Sequence, residues 1–369
     1  MEVDRRIMDN IAVSIVMPIY NAASYLDQSL GGLVKQTLKN IEIICVNDGS
    51  KDDSLDIMKR YAYGDSRIKI IDKKNSGYGN TMNEGIKIAT GEYIGILEPD
   101  DFSDNTMMER LYTTAKQHNA DVVKSNYYEY CQADQTNTFI EVLDGLEYDK
   151  ETSAAENENI VFRRPCIWSA IYRASVLRNN HILFNETPGA SYQDTAFAFK
   201  VWVSAQRVVF IKDAFLHYRI DNENSSVKSS GKVFSICDEF QSMQAFLNED
   251  KRIKDKYSKI LQVLKLDSYT WNLNRIAPEF RKVFRDQIAL EFIKADYEGV
   301  LDRGYFDEDR WNMLQNYIGQ YKSQTNDDSD YIQTLKNRIN DLETSKSYKF
   351  GHAVMVIPGT ILRKLKIKR

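Results

Sequence analysis

The sequence predicts an α/β fold, a mostly parallel sheet flanked by helices, with a helical region following it. Three observations carry that prediction. From Val13 to about Ser125, short apolar runs rich in β-branched residues alternate with segments of helical period. The runs are nearly all apolar, which suits strands covered on both faces and joined by right-handed crossovers. From Ser226 to about Tyr321 the pattern turns helical and aromatic-rich.

The strands are read in order as "VSIVMPIY", "IEIICVND", "RIKIID", "YIGIL" and "DVVKSN". Between them the apolar spacing predicts helices over Tyr25 to Lys35, Ser54 to Tyr63, Asn80 to Ala89 and Thr106 to His118. Residues from about 126 to 165 are polar and acidic, with weak periodicity. "PCIWSAIYRASVL" and "SYQDTAFAFKVWVSA" restore helical or short-strand patterns, and "RVVFIKDAFLHYRI" reads as one or two strands. Beyond the polar linker "SQTNDDSDY", Ile332, Leu335, Ile339 and Leu342 are spaced as a short heptad seam, which offers a homodimer contact. Three segments result: 1–225, holding the sheet and its site; 226–325, helical; and 326–369, the heptads and a tail.

Composition excludes several classes. With 43% hydrophobic and 28% charged residues, the 369-residue chain has ample material for a core. A net charge of −4 lacks the overall basic footprint of a nucleic-acid binder. Cys45, Cys131, Cys166 and Cys237 lie far apart, which suggests neither a zinc site nor a disulfide framework and fits a reducing compartment. "MEVDRRIMDN" has no apolar core of a signal peptide, and no stretch reaches the roughly 18 apolar residues of a membrane span. A cytoplasmic location is expected. After Glu343 the tail has no acidic residue, while Lys346, Lys349, Arg363, Lys364, Lys366, Lys368 and Arg369 surround the apolar "YKFGHAVMVIPGTIL". Such a segment is too short to span and is expected to lie in the plane of an anionic membrane surface. The plainer alternative is a helix docked on its own chain with a solvated basic tip.

A sheet of this kind binds ligands outside the carboxyl ends of its strands. The expected tips are Pro18-Ile19-Tyr20-Asn21, Asn47-Asp48-Gly49-Ser50, "KKNSGYGN" and Glu98-Pro99-Asp100-Asp101. Tyr20 is either sheet-end packing or a face on which a base stacks. Asp48 sits in a tight-turn signal, or accepts hydrogen bonds from a nucleobase or ribose. Gly77 and Gly79 precede a helix, where backbone can approach a phosphate. Ser103 or Asp104 can cap the next helix, which leaves Glu98, Asp100 and Asp101 without a structural need. Carboxylates so placed suit Mg²⁺ or Mn²⁺ and a diphosphate. Asp194 is either a helix cap or a general base, and His217 is either packed on its strand or completes a carboxylate–metal site.

Together, "VSIVMPIYNAASYLDQSL", "EIICVNDGSKDDSLDI", "NSGYGNTMNEGIKIATGEYIGILEPDD" and "SYQD" resemble the family 2 inverting glycosyltransferases of GT-A fold, bacterial surface-polysaccharide type, over about the first 220 residues. The resemblance implies that Pro18 and Tyr20 line the base pocket and Asp48 hydrogen-bonds uracil. It implies that Gly77, Gly79 and Asn83 wall the ribose and diphosphate. Glu98-Pro99-Asp100 takes the place of the metal-binding Asp-x-Asp motif, Asp101 supports it, and His217 completes the ion's ligands. Asp194 takes the place of the catalytic base. Glu98 for the usual Asp, Met82 where many members carry Arg, and Gln193 for an acidic residue are departures. The implied reaction uses Mn²⁺ or Mg²⁺, a UDP-sugar donor and a glycan or lipid-linked oligosaccharide acceptor, at the inner face of the cell membrane. A nucleotidyltransferase is the rival enzyme, but "PIYNAASYL" lacks the Gly-rich basic loop expected of one. A non-catalytic scaffold would tolerate loss of the carboxylates, and they are present.

Overall fold

The computed structural model describes residues 11–222 and 233–324, which fall in two compact units, Met1–Ser229 and Ser230–Arg369. The first unit holds ten strands: β1 Val13–Ile19, β2 Ile41–Asp48, β3 Ile68–Lys73, β4 Tyr93–Ile96, β5 Phe102–Ser103, β6 Val122–Cys131, β7 Thr136–Ile140, β8 Glu151–Thr152, β9 Ala170–Arg173 and β10 Val208–Arg219. Its helices are α1 Ala23–Val34, α2 Ser54–Gly64, α3 Tyr78–Ile88, α4 Met107–Gln117, α5 Ala174–Asn179 and α6 Gln193–Ser204.

The sheet runs β3-β2-β1-β4-β9-β6-β10-β5, with β7 beside β6 and β8 beside β10. β1 is parallel to β2 and β4, β2 to β3, and β6 to β10. β9 is antiparallel to both β4 and β6, so it restores the direction across the insertion. Six principal strands therefore share one heading, and their carboxyl ends open on one edge. β1 and β2 are buried along their whole length, as expected for apolar strands covered on both faces. Away from the tips, their polar residues answer each other: Ser14 Oγ donates to Glu42 Oε1 at 2.5 Å, and Thr90 N donates to the same oxygen at 2.6 Å. This clip closes the sheet at the edge opposite the strand tips.

The helices bury one stripe each. In α1, Leu26, Leu30 and Leu33 face inward at helical spacing, and in α4 Met107, Met108, Leu111 and Ala115 do the same. α4 ends where Asn119 turns left-handed with φ 45°. The antiparallel β9 and the two-residue β5 and β8 lie in stretches whose pattern is too short or too mixed to read as strands.

The second unit is helical: α7 Ser235–Glu249, α8 Lys251–Arg275, α9 Pro278–Tyr297 and α10 Glu308–Gln324. Phe240 meets Tyr269 edge-on at 5.4 Å, and Tyr269 lies 5.5 Å from Phe284. The buried Glu291 carboxylate accepts from Tyr269 Oη at 2.8 Å and Gln287 Nε2 at 2.7 Å, with Lys265 Nζ at 3.1 Å. Among the described residues no helix is long and apolar enough to cross a membrane. The N-terminal Met1–Asn10, the heptad seam and the basic tail lie outside the described residues.

Candidate active site

At the tip of β4 the chain turns through Glu98-Pro99-Asp100-Asp101 before β5. Asp101 is 1% exposed; its Oδ1 accepts from the Arg219 N–H at 2.9 Å, while its Oδ2 has no hydrogen-bond partner among the described residues. Burial and the Asp100 charge push its carboxyl well above the usual range. Arg219 is the hub of this loop. Its Nε donates to the Asp100 carbonyl at 2.8 Å, Nη2 to Gln28 Oε1 at 2.6 Å and Nη1 to Gln132 Oε1. The guanidinium also lies between the rings of Tyr25 and Tyr130, at 4.9 and 5.1 Å from their centroids. Asn222 Nδ2 then donates to Asp100 Oδ2 at 2.8 Å. Arg219 and Asn222 escaped the sequence reading. The one available signal was a cation two residues beyond His217 at a strand end.

Glu98 is partly exposed but crowded by protein. Tyr78 Oη donates to its Oε1 at 2.6 Å. Burial pushes Glu98 up to about 8, Asp100 and Asp194 push the same way, and the Tyr78 bond opposes them. Tyr78, itself held well above its ordinary value by burial and by Glu98, stays a donor.

Tyr20 stands at the β1 tip, 49% exposed, beyond the buried Pro18. The β1–α1 and β2–α2 turns brace each other: Asn21 N donates to Ser50 Oγ at 3.0 Å, and Lys51 N to Asn21 Oδ1 at 2.8 Å. Asp48 is directed at its own chain. Its Oδ1 accepts from Ser76 N at 2.8 Å and from Lys73 Nζ, and its Oδ2 accepts from Gly77 N at 3.0 Å. It shapes the loop after β3, and a base would meet a carboxylate already holding three donors.

Gly77, Gly79 and Asn83, expected to wall the ribose and diphosphate, lie against residues 184–189. A Cβ on Gly79 would lie 1.8 Å from the Asn185 carbonyl oxygen, and one on Gly77, whose φ is +91°, would lie 3.0 Å from Gly189 N. The space these glycines vacate is filled by the 184–189 backbone. Asn83 Nδ2 donates to Phe184 O at 3.0 Å and Phe184 N returns to Asn83 Oδ1 at 2.9 Å. Tyr78 N donates to Gly189 O at 3.1 Å. The start of α3 is thus zipped to the segment that leads into α6.

That segment delivers Asp194. Tyr192 turns left-handed with φ 63°, and buried Gln193 binds back onto the loop, accepting from Ser191 N and donating to Thr187 Oγ1 at 2.9 Å. Gln193, the departure from an acidic residue, is therefore a loop clasp. Asp194 Oδ1 accepts from Thr195 N at 2.9 Å, and Oδ2 takes no part in these bonds. Burial raises Asp194 to about 6, against the lowering by its Thr195 bonds and by Arg164. A half-solvated carboxylate with one uncommitted oxygen and that value can take a proton near neutral pH. Glu98 feels the charges of Asp100 and Asp194, and Asp101 those of Asp100 and Glu98, so Glu98 lies between the acidic tip and Asp194 in this electrostatic chain.

His217 does not join it. Its Nε2 lies 3.2 Å from Asp104 Oδ1 and its Nδ1 2.6 Å from Asn137 Oδ1. The ring is sandwiched by Phe102 and Tyr128, at 4.4 and 5.2 Å. Both nitrogens are committed, so the trio Glu98, Asp100 and His217 is not assembled. Among the described residues no three His, Cys, Asp or Glu side chains converge as a metal site. His217, expected as an ion ligand, is here packed between two rings with both nitrogens hydrogen-bonded.

A mostly parallel α/β sheet whose strand tips carry carboxylates is the GT-A type of fold. S. aureus TarS 1–349, crystallised in complex with UDP, superposes with a TM-score of 0.67 at 19% identity, covering 84% of this chain and 88% of that one. The Glycosyl transferase family 2 model matches residues 14–179. Glycosyltransferase GlyG of Streptococcus pneumoniae is 34% identical over 215 residues, 56% of this chain and 70% of GlyG. The uncharacterized glycosyltransferase EpsJ of Bacillus subtilis is 32% identical over 220 residues, and the match spans 62% of its length, less than two thirds. The chain belongs to glycosyl transferase family 2.

Proposed function

We propose that this protein transfers a sugar from a UDP-sugar to a hydroxyl of a glycan acceptor, lipid-linked, in polysaccharide synthesis, with inversion at the anomeric carbon. The observation that carries this reading is the joining of Asp194 to the donor side. Its loop is zipped to α3, and its carboxylate is charge-coupled to Glu98 at the β4 tip. In the reaction Asp194 takes the acceptor hydroxyl proton as that oxygen bonds to the anomeric carbon, and the bond from that carbon to the diphosphate breaks. Tyr20 offers the face for the base, with the buried Pro18 behind it in the strand. The UDP in the TarS structure, on the same fold, supports the choice of nucleotide.

Asp100 and Glu98 fit a divalent cation by donor chemistry: both are hard oxygen ligands at one tip, where the buried Asp101 Oδ2 has no hydrogen-bond partner among the described residues. Bound there with a donor diphosphate, Mg²⁺ or Mn²⁺ would neutralise the leaving group. Lipid-linked acceptors and membrane association through the basic tail belong to the same proposal.

The test is calorimetric titration of UDP with and without Mn²⁺, on the wild type and Asp100→Ala. Metal-dependent binding that disappears in the variant is the expected result. Absence of UDP binding under every condition would remove the donor assignment.

A further inference from the structure

The corner between α8 and α9 exposes apolar side chains beside cations. Trp271 is 50% exposed, Phe280 40% and Val283 40%. Trp271 lies one turn before the end of α8, and Phe280 and Val283 stand one turn apart at the start of α9. Ile276 and Ala277 alone link the two helices, and Pro278 opens α9 with a preset backbone angle, so the corner is stiff.

The surrounding charge is specific. The Arg275 guanidinium lies 4.1 Å from the centre of the Trp271 ring. Arg281 is drawn over the link, with Nε at 3.4 Å from Ile276 O and Nη2 at 3.3 Å from Asn274 O. Arg285 is exposed, and Lys282 is exposed while pairing with Asp286 at 3.0 Å. Between Trp271 and Asp286, four cations face two anions, Glu279 and Asp286, in a chain whose net charge is −4.

We infer that this corner is a second membrane contact, resting in the plane of an anionic lipid surface. Indole and phenyl rings partition to the headgroup level, and guanidinium groups bind lipid phosphates in bidentate fashion. A stiff turn between helices projects these groups outward, which suits entry into a deformable surface rather than reception of a partner helix in a groove. The inference uses none of the residues of the donor site and none of the basic tail, so it stands or falls apart from both.

Co-sedimentation of the full chain with phosphatidylcholine vesicles, with and without phosphatidylglycerol, tests it. The triple variant Trp271→Ser, Phe280→Ser, Val283→Ser is expected to weaken binding to anionic vesicles by about tenfold or more, because three half-exposed apolar side chains lose their lipid contact. The double variant Arg281→Glu, Arg285→Glu is expected to weaken binding to anionic vesicles alone. Urea unfolding should stay cooperative in both, with a midpoint lowered only by the lost Arg281 bonds or the lost Trp271 contact with Arg275, and UDP titration should be unchanged. The triple variant is also combined with removal of Lys346–Arg369. If the tail deletion abolishes binding while both corner variants bind as the wild type does, the corner is no contact and the inference fails. Binding equal on neutral and anionic vesicles, or none on either, overturns it too.

Discussion

Gly79→Ala is the sharpest test of how the base is positioned. The added methyl would meet the Asn185 carbonyl oxygen at 1.8 Å and its carbonyl carbon at 2.7 Å, where ordinary contact begins near 3.4 Å. Those are backbone atoms, so the segment itself must retreat. In doing so it strains the Asn83–Phe184 pair at 3.0 and 2.9 Å, the Asn83–Glu186 bond at 3.0 Å and the Tyr78–Gly189 bond at 3.1 Å. Losing two or three such bonds costs about 0.5–1.5 kcal/mol each. Overpacking adds about 1–3 kcal/mol, and alanine in a helical turn returns up to about 1 kcal/mol. The net expectation is a loss of about 2–4 kcal/mol in urea unfolding followed by tryptophan fluorescence. Gly64→Ala is the control: a Cβ at the exposed end of α2 meets nothing within 4 Å, so its stability should be unchanged or slightly raised. A Gly79→Ala protein within about 0.5 kcal/mol of wild type would refute the zipped arrangement.

Turnover should rise with pH through about 6 and then level, since Asp194 acts only when deprotonated. Asp194→Asn should remove that limb and lower turnover by about 10²- to 10⁴-fold, and a retained limb would assign it elsewhere. Because the folded state keeps the Asp194 proton up to about 6 while the unfolded chain loses it near 3.8, this residue's contribution to stability falls as pH rises between those values. The Asn variant should lack that component in urea titrations across the same window. Arg219→Lys keeps the charge but not the fork, so it should cost about 2 kcal/mol or more and weaken metal-dependent UDP binding; an unchanged binding isotherm would separate the guanidinium from the acidic loop. His217→Gln should lower stability by about 1–3 kcal/mol with UDP and Mn²⁺ affinity unchanged, and a tenfold loss of metal affinity in a stable variant would restore the histidine as a ligand.

The alternation up to Ser125 was legible because the strands are mostly apolar and β-branched and the helices carry an apolar stripe. The acidic tip was legible because its carboxylates end a buried strand with no local partner. What local pattern cannot express is a partner a hundred positions away. Gly79 reads as phosphate approach until Asn185 is seen against it, and Asn83 reads as a ribose ligand until Phe184 takes both its amide atoms. Asp48 looked free for a base because Ser76 and Gly77 fold back onto it through a loop whose path is not periodic. His217 was ambiguous for the same reason: Asn137, which fixes one of its nitrogens, stands in a polar stretch with weak patterning.

The Arg219 clasp has a consequence for how the protein is made. Asp101 waits for an N–H that lies 118 positions later in the chain. A ribosome that has released the first four strands has released an acidic turn for which Arg219, Asn222 and the Tyr130 ring are still unsynthesised. Before β10 is made, Tyr78 can hold Glu98, but Asp100 and Asp101 still lack their Asn222 and Arg219 partners, which emerge after residues 184–189. Loop-closure entropy makes such distant contacts late ones. Truncated chains ending before Arg219 should therefore carry the strands of a transferase with an unformed β4 tip.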